Sequence, residues 1–268
     1  MSQKFRLDKA GYINRDKKIS FKFNGKKYFG YEGDTLASAL LANGVHLVGR
    51  SFKYHRPRGF IGAGVDEPNA HVQLYSGAKT EPNAVATTVE LVEGLVAKSQ
   101  NCWPSVSFDF GAINNLLNKF FPAGFYYKTF MWPKNFWHKI YEPIIRKAAG
   151  LGVAPLKPDS DRYEHKFEYC DILVAGSGPS GLASALAAAK NGAKVILAED
   201  KPRFGGSLLT DEVTIGNKKG KDWADETIDQ LKSMPNVIVK NRSQVFGYYD
   251  HNMRSEERRV GKECRSRW

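Results

Sequence analysis

The spacing of apolar residues changes along the chain, and each change marks a different kind of element. Ile19, Phe21 and Phe23 alternate with polar positions, which predicts a strand. Asn24-Gly25 predicts a two-residue hairpin turn, with the returning strand over 27–31. A helix is predicted over 35–43, because Leu36, Ala39, Leu40 and Asn43 share one face. Asp34 or Thr35 suits its N-cap and Gly44 its C-cap. The stretches 71–74 and 85–91 read as later strands. The polar residues 1–17 read as an arm, flexible or ordered on contact.

From 101 to 165 regular spacing gives way to aromatics, cut into short pieces by Pro104, Pro122, Pro133 and Pro143. A short helix is predicted over 140–149, closed by Gly150, and a linker over 151–162. The aromatics read either as a connector packed over the two flanking domains or as an interface with another protein chain, where Trp, Tyr and Phe are common anchors.

From Lys166 the pattern becomes strand, helix, strand. The apolar run 172–175 leads into Gly176, Gly178 and Gly181, spaced G-x-G-x-x-G. An alanine-rich helical segment, a second apolar run over 195–198 and Glu199 follow. Gly176 permits a sharp turn, Gly178 lets backbone N–H groups approach a pyrophosphate, and Gly181 lets helix and strand pack closely. Phosphates favour the unpaired N–H groups of a helix N-terminus, and a carboxylate at 199 suits a ribose diol. Gly205 and Gly206 let the chain pass close to a bound nucleotide. Lys201 and Arg203 either contact phosphate or adenine or are solvated. Residues 210–215 read as a short strand or hairpin, 221–234 as an amphipathic helix, 237–239 as a third parallel strand and 244–249 as a further strand.

The expected fold class is α/β: a β-grasp ferredoxin-like domain over 18–100, an aromatic connector over 101–165, and a partial Rossmann-like dinucleotide-binding domain over 166–252. Residues 254–268 carry six basic and three acidic residues with little apolar periodicity. They resemble translated adaptor sequence joined to a truncated frame, so 253–268 is expected to be a non-native tail. Setting the tail aside lowers the formal net charge from +12 to +9. The basic residues are dispersed and no nucleic-acid motif accompanies them, so no nucleic-acid partner is expected. The exception is the loop 50–64, where Arg50, Lys53, His55, Arg56 and Arg58 flank Phe52 and Tyr54. It reads either as an anion- or partner-facing loop or as a solvated one. No run of eighteen apolar residues exists and the N-terminus lacks an apolar signal core, so no membrane association is expected. Three scattered cysteines (Cys102, Cys170, Cys264) suggest a reducing, cytoplasmic setting and no metal site.

The opening domain resembles a plant-type [2Fe–2S] ferredoxin. That family places cysteines on a loop as C-x₄-C-x₂-C, with a fourth further on. Aligned on the loop, the positions here are Gly62, Glu67 and Ala70, with the fourth near Ala84. None is cysteine, so no iron–sulfur cluster is expected, and the domain is expected to be a structural or docking module.

A wider resemblance spans residues 18–252. It is carried by GDTLASALLANGVHLVGRSFKYHRPRG, the repeated EPNA at 67–70 and 81–84, PAGFYYKTFMWP, YEPIIRKAAGLG and VAGSGPSGLASALAAAKNGAKVILAED. These resemble the N-terminal part of the alpha subunit of heterotetrameric sarcosine oxidases. The resemblance implies NAD in this chain, with Ser180 beside the phosphates and Glu199 and Asp200 at the ribose. Lys201, Ser207 and a residue near Val245 complete the implied contacts. It further implies beta, gamma and delta partner subunits, FAD on beta and FMN between alpha and beta. The implied reaction is oxidative demethylation of sarcosine to glycine, giving hydrogen peroxide and 5,10-methylenetetrahydrofolate. The family places amine oxidation on the beta subunit, so no catalytic residue is expected here. The family's alpha subunit is several times longer, so this chain alone is expected to be inactive and to bind NAD weakly or not at all. Competing expectations are a subunit of a flavin-dependent hydrogen cyanide synthase or opine oxidase, and a non-catalytic assembly module.

Overall fold

The computed structural model describes residues 3–9, 11–120, 124, 130, 132–148, 150–159, 161–162, 165–250, 254–260 and 264–267. The chain divides into two compact units, 1–160 and 161–268.

The first unit contains β1 (Asn14–Phe23), β2 (Lys26–Glu32), α1 (Leu36–Ala42), β3 (Gly49–Arg50), β4 (Pro57–Arg58), β5 (His71–Leu74), β6 (Glu81–Val85), β7 (Val96–Ser99), α2 (Ile113–Leu116) and α3 (Glu142–Ala148). Five strands form one sheet in the order β2-β1-β7-β5-β6, in which β1 and β7 run parallel and the other pairs antiparallel. Alternation sends Ile19, Phe21 and Phe23 of β1 inward, where they meet Leu36, Ala39 and Leu40 of α1 in one core. A reciprocal capping box of Thr35 and Ser38 starts that helix.

One local expectation changes, and one open alternative is decided. Of the strand expected over 85–91 only Val85 is one: β6 ends there, and the chain turns, with Thr88 N donating to Val85 O at 2.9 Å. The carbonyls of Ala86 and Val89 then accept the N–H groups of Ala37 and Leu36, so this apolar stretch plugs the start of α1. The described part of the arm is also anchored. Arg6 grips Asp34 through two hydrogen bonds of 3.0 and 2.7 Å, and β1 begins already at Asn14.

Much of the aromatic connector belongs to this first unit. Arg50 Nε and Nη2 donate to Val106 O, Asn101 Nδ2 donates to Arg50 O, and Gln73 pairs with the backbone of Val153. Most of the PAGFYYKTFMWP stretch lies outside the described residues.

The second unit contains β8 (Ile172–Ala175), α4 (Pro179–Lys190), β9 (Val195–Ala198), a small hairpin of β10 (Thr214–Ile215) and β11 (Lys218–Lys219), α5 (Gly220–Ser233) and β12 (Val237–Lys240). The sheet order β12-β9-β8 is parallel throughout. All four residues of β9 are buried, as expected for a central parallel strand. Leu182 and Ala185 of α4 pack with Ile228 and Leu231 of α5 over Val195 and Leu197. Next, β13 (Ser243–Tyr248) pairs antiparallel with β14 (Arg254–Val260), and β14 with β15 (Cys264–Arg267), so the backbone of the tail adds two strands. Among the described residues no helix is long and apolar enough to cross a membrane.

Candidate functional site: a glycine turn at the head of a parallel sheet

The turn between β8 and α4 is built by three glycines with different jobs. Gly176 has φ +93°, a conformation that favours glycine, and its N–H donates to Ala198 O at 2.7 Å. A Cβ on Gly181 would lie 2.1 Å from Gly176 O, so only a hydrogen fits there. Gly176 and Gly178, by contrast, have nothing within 4 Å of an added Cβ: the space before them is open. Gly178 is the N-cap of α4 with no side-chain cap, and Pro179 follows at the first turn. The first N–H groups of the helix therefore face that open space, where an anion is favoured.

A buried serine ties the turn together. Ser177 N donates to Glu199 Oε2 at 2.8 Å, and Ser177 Oγ donates to the same oxygen. Gly205 N donates to Ser177 Oγ and Ser177 O, both at 3.1 Å. Glu199 Oε1 accepts Lys201 N at 3.1 Å. Burial raises the Glu199 carboxyl, but hydrogen bonds from Asp200, Ser177 and Lys201 outweigh it and hold it below the usual range. Asp200 goes the other way. Its hydrogen bond to Glu199, then burial and repulsion by the Glu199 charge, push it up to about 6. Glu199 is thus buried and occupied by the turn, whereas Asp200 beside it is exposed.

The predicted residues Gly176, Gly178, Gly181, Glu199, Asp200, Lys201, Gly205 and Gly206 gather at the C-terminal ends of β8 and β9. Gly205 and Gly206 have φ +121° and +55°, and a Cβ on Gly206 would lie 2.8 Å from Gly178 Cα. This pair closes onto the turn itself. Ser180 is exposed in the first turn of α4, and Ser207 is exposed just after the glycine pair. Val245 lies two residues along β13 from Ser243, whose N–H donates to Glu199 O at 2.8 Å, and takes no part in the network. The hub residue Ser177 is absent from the residues predicted by sequence. Its signal is small: one polar residue between two glycines, with an acid at the end of the next strand.

The first unit holds a second carboxylate-centred loop. The buried Glu67 carboxylate accepts N–H groups from Ile61 and Gly62 at 2.7 Å, Asn69 at 2.8 Å and Ala70 at 3.3 Å. Burial raises this carboxyl, but the four backbone donors outweigh it and leave it below its ordinary value. Nearby, the basic loop is partly internal. Arg50 serves backbone carbonyls, and His55 Nδ1 lies 2.6 Å from Asp109 Oδ2, both residues buried.

Residues 16–102 match a family of 2Fe-2S iron-sulfur cluster binding domains, and 171–242 match FAD dependent oxidoreductases. Over 261 residues, 97% of its length, the chain is 56% identical to the sarcosine oxidase alpha subunit of Rhizobium meliloti (strain 1021). The chain belongs with the sarcosine oxidase alpha subunits. It is also 31% identical over 244 residues to the alpha subunit of the Corynebacterium sp. (strain U-96) enzyme. It spans 26% and 20% of the lengths of these two alpha subunits. A shorter match, 31% over 85 residues, joins 30% of the chain to 17% of an opine oxidase subunit of Agrobacterium tumefaciens (strain Ach5). This alpha-subunit chain shares the fold of the L-proline dehydrogenase from P. horikoshii, with a TM-score of 0.53 at 18% identity, over 91% of this chain and 38% of that one.

The first family match corrects one expectation. The loop residues predict a domain with no iron–sulfur cluster; the matched family is an iron–sulfur cluster binding one. The expectation rests on ligand positions alone, whereas the match extends over the whole β-grasp core. The loop positions Gly62, Glu67, Ala70 and Ala84 supply no thiolate, and among the described residues no group of three or more His, Cys, Asp or Glu stands ready to hold a metal. These loop positions therefore do not fit that group.

Proposed function

We propose that this chain is the part of a sarcosine oxidase-type alpha subunit that holds an adenine dinucleotide, NAD, and docks partner subunits in a cytoplasmic oxidase. The 56% identity across nearly the whole chain carries the subunit reading, and the open, uncapped turn at Gly176 to Gly181 carries the dinucleotide. In this reading Gly178 and Ser180 take the pyrophosphate. Asp200 takes the ribose, Glu199 holds the turn in shape, and Lys201, Ser207 and Val245 flank the adenosine. Bound NAD supplies a fixed anionic ligand that orders the head of the sheet. FAD and FMN, held with the beta subunit, supply the redox chemistry for demethylation of sarcosine to glycine, with hydrogen peroxide and 5,10-methylenetetrahydrofolate as further products. Gamma and delta subunits complete the assembly.

The test is a chimera in which residues 1–252 replace the matching quarter of the Rhizobium meliloti alpha subunit, expressed with that protein's partner subunits. Sarcosine-dependent peroxide is the expected result. Turnover of opines in place of sarcosine would assign the chain to the opine oxidase type, and assembly without any amine turnover would leave it an assembly module.

A further inference from the structure

Residues 103–116 form an exposed aromatic stripe on the first unit that its core does not use. Trp103, Phe108 and Phe110 are 68%, 63% and 54% exposed, and their rings touch in sequence, Trp103 to Phe110 at 5.0 Å and Phe108 to Phe110 at 5.1 Å. The helical turns that follow continue the stripe at intervals of three, through Ile113 at 57% and Leu116 at 81% exposed. Contiguous exposed apolar surface of this kind marks an interaction site more often than an idle surface.

The stripe is held in place from beneath. Buried Asp109 accepts N–H groups of Trp103 at 3.0 Å and Gly111 at 3.1 Å, and its other oxygen meets His55. A Cβ on Gly111 would lie 2.3 Å from the His55 ring, so the turn under the aromatics is tightly packed. Its rim is basic. Arg56 Nε donates to Asn115 Oδ1 at 2.7 Å, and Asn114 Nδ2 donates to Lys53 O at 3.3 Å, which sets the loop 50–58 along the helix. Between 50 and 58 the loop carries four cationic residues and no acid; Arg50 is turned to backbone carbonyls and His55 is buried, which leaves Lys53, Arg56 and Arg58 for the rim, and the one acid in 103–119 is the buried Asp109.

We infer that this stripe docks a partner subunit through an apolar face bordered by carboxylates. The inference rests on the subunit reading above. Charge complementarity to the basic rim selects an acidic-bordered face. A protein fits better than a nucleic acid, because the aromatic rings are packed against one another and continue into aliphatic side chains, which offer no platform for stacked bases.

The test measures capture of the chain by immobilised beta, gamma and delta subunits of the Rhizobium meliloti oxidase, using biolayer interferometry. The double variant Phe108→Glu/Leu116→Glu should weaken capture by about 30-fold or more. Lys53→Glu/Arg56→Glu should slow association by about 10-fold and flatten its salt dependence. Leu156→Glu, a change at a residue 95% exposed in the same unit, should leave capture unchanged. The thermal melt of every variant is recorded, so that loss of fold is separated from loss of docking. Wild-type capture with unaltered binding of both double variants would overturn the proposed surface alone. No capture of wild type would overturn the subunit reading with it. Binding of a fluorescent single-stranded oligonucleotide that both double variants abolish would reassign the stripe to nucleic acid.

Discussion

The two units each organise a loop around a buried carboxylate, and they use it in opposite ways. Glu67 spends all its hydrogen-bonding capacity on four backbone N–H groups of its own loop, so the loop closes on itself. Glu199 binds Ser177 and Lys201, and leaves the N–H groups at the head of α4 facing open space in front of Gly176 and Gly178. The same chemistry thus gives a closed anion nest in one place and a poised one in the other. The difference lies in where each carboxylate points: Glu67 into its own loop, and Glu199 to Ser177 and Lys201 rather than to the head of α4.

The largest effect expected is at Gly181. In Gly181→Val the new Cβ meets the Gly176 carbonyl, and urea unfolding should show the second unit destabilised by about 3 kcal/mol or more. Stability within about 0.5 kcal/mol of wild type would break the claim that this turn is tightly packed. Next comes Glu67→Gln, which sets an NH₂ group against backbone donors and removes the charge from their hydrogen bonds. It should destabilise the first unit by about 2 kcal/mol. Because the folded Glu67 carboxyl lies below its unfolded value, its contribution is present above the unfolded carboxyl range, near pH 4, and is lost as pH falls through the folded value. Acid unfolding of Glu67→Gln should therefore lack that component. Ser177→Ala should cost about 1–2 kcal/mol in the second unit, since Gly205 N and Glu199 both lose a partner. The smallest effect is the titration of Asp200. Its folded value, about 6, lies above the unfolded one, so its contribution to stability is present below about pH 4 and fades as pH rises through about 6. Asp200→Asn should flatten the melting temperature of the second unit between pH 4 and 7; a slope equal to wild type would remove Asp200 from the network.

Much of the fold was legible because the apolar periods are strong. Ile19, Phe21 and Phe23 announce β1, and the glycine spacing announces the turn of the nucleotide unit. Residues 85–91 misled because Ala86, Val89 and Leu91 are buried as a plug under α1, and burial alone does not distinguish a plug from a strand. The site was legible in its glycines and acids but not in the division of labour between Glu199 and Asp200. That division depends on which carboxylate reaches Ser177, a matter of three-dimensional register. The iron–sulfur family of the first domain was legible in its core pattern and obscured by its loop residues.

The most direct measurement is the nucleotide released on denaturing the purified chimeric complex, identified and quantified by chromatography. NAD stoichiometric with the alpha subunit, and its loss in a Gly178→Val variant that still assembles and melts as wild type, is the expected result, because the added side chain fills the open space before the helix without disturbing its packing. NAD retained in that variant, or FAD rather than NAD lost from it, would contradict the assignment of this turn as the NAD site.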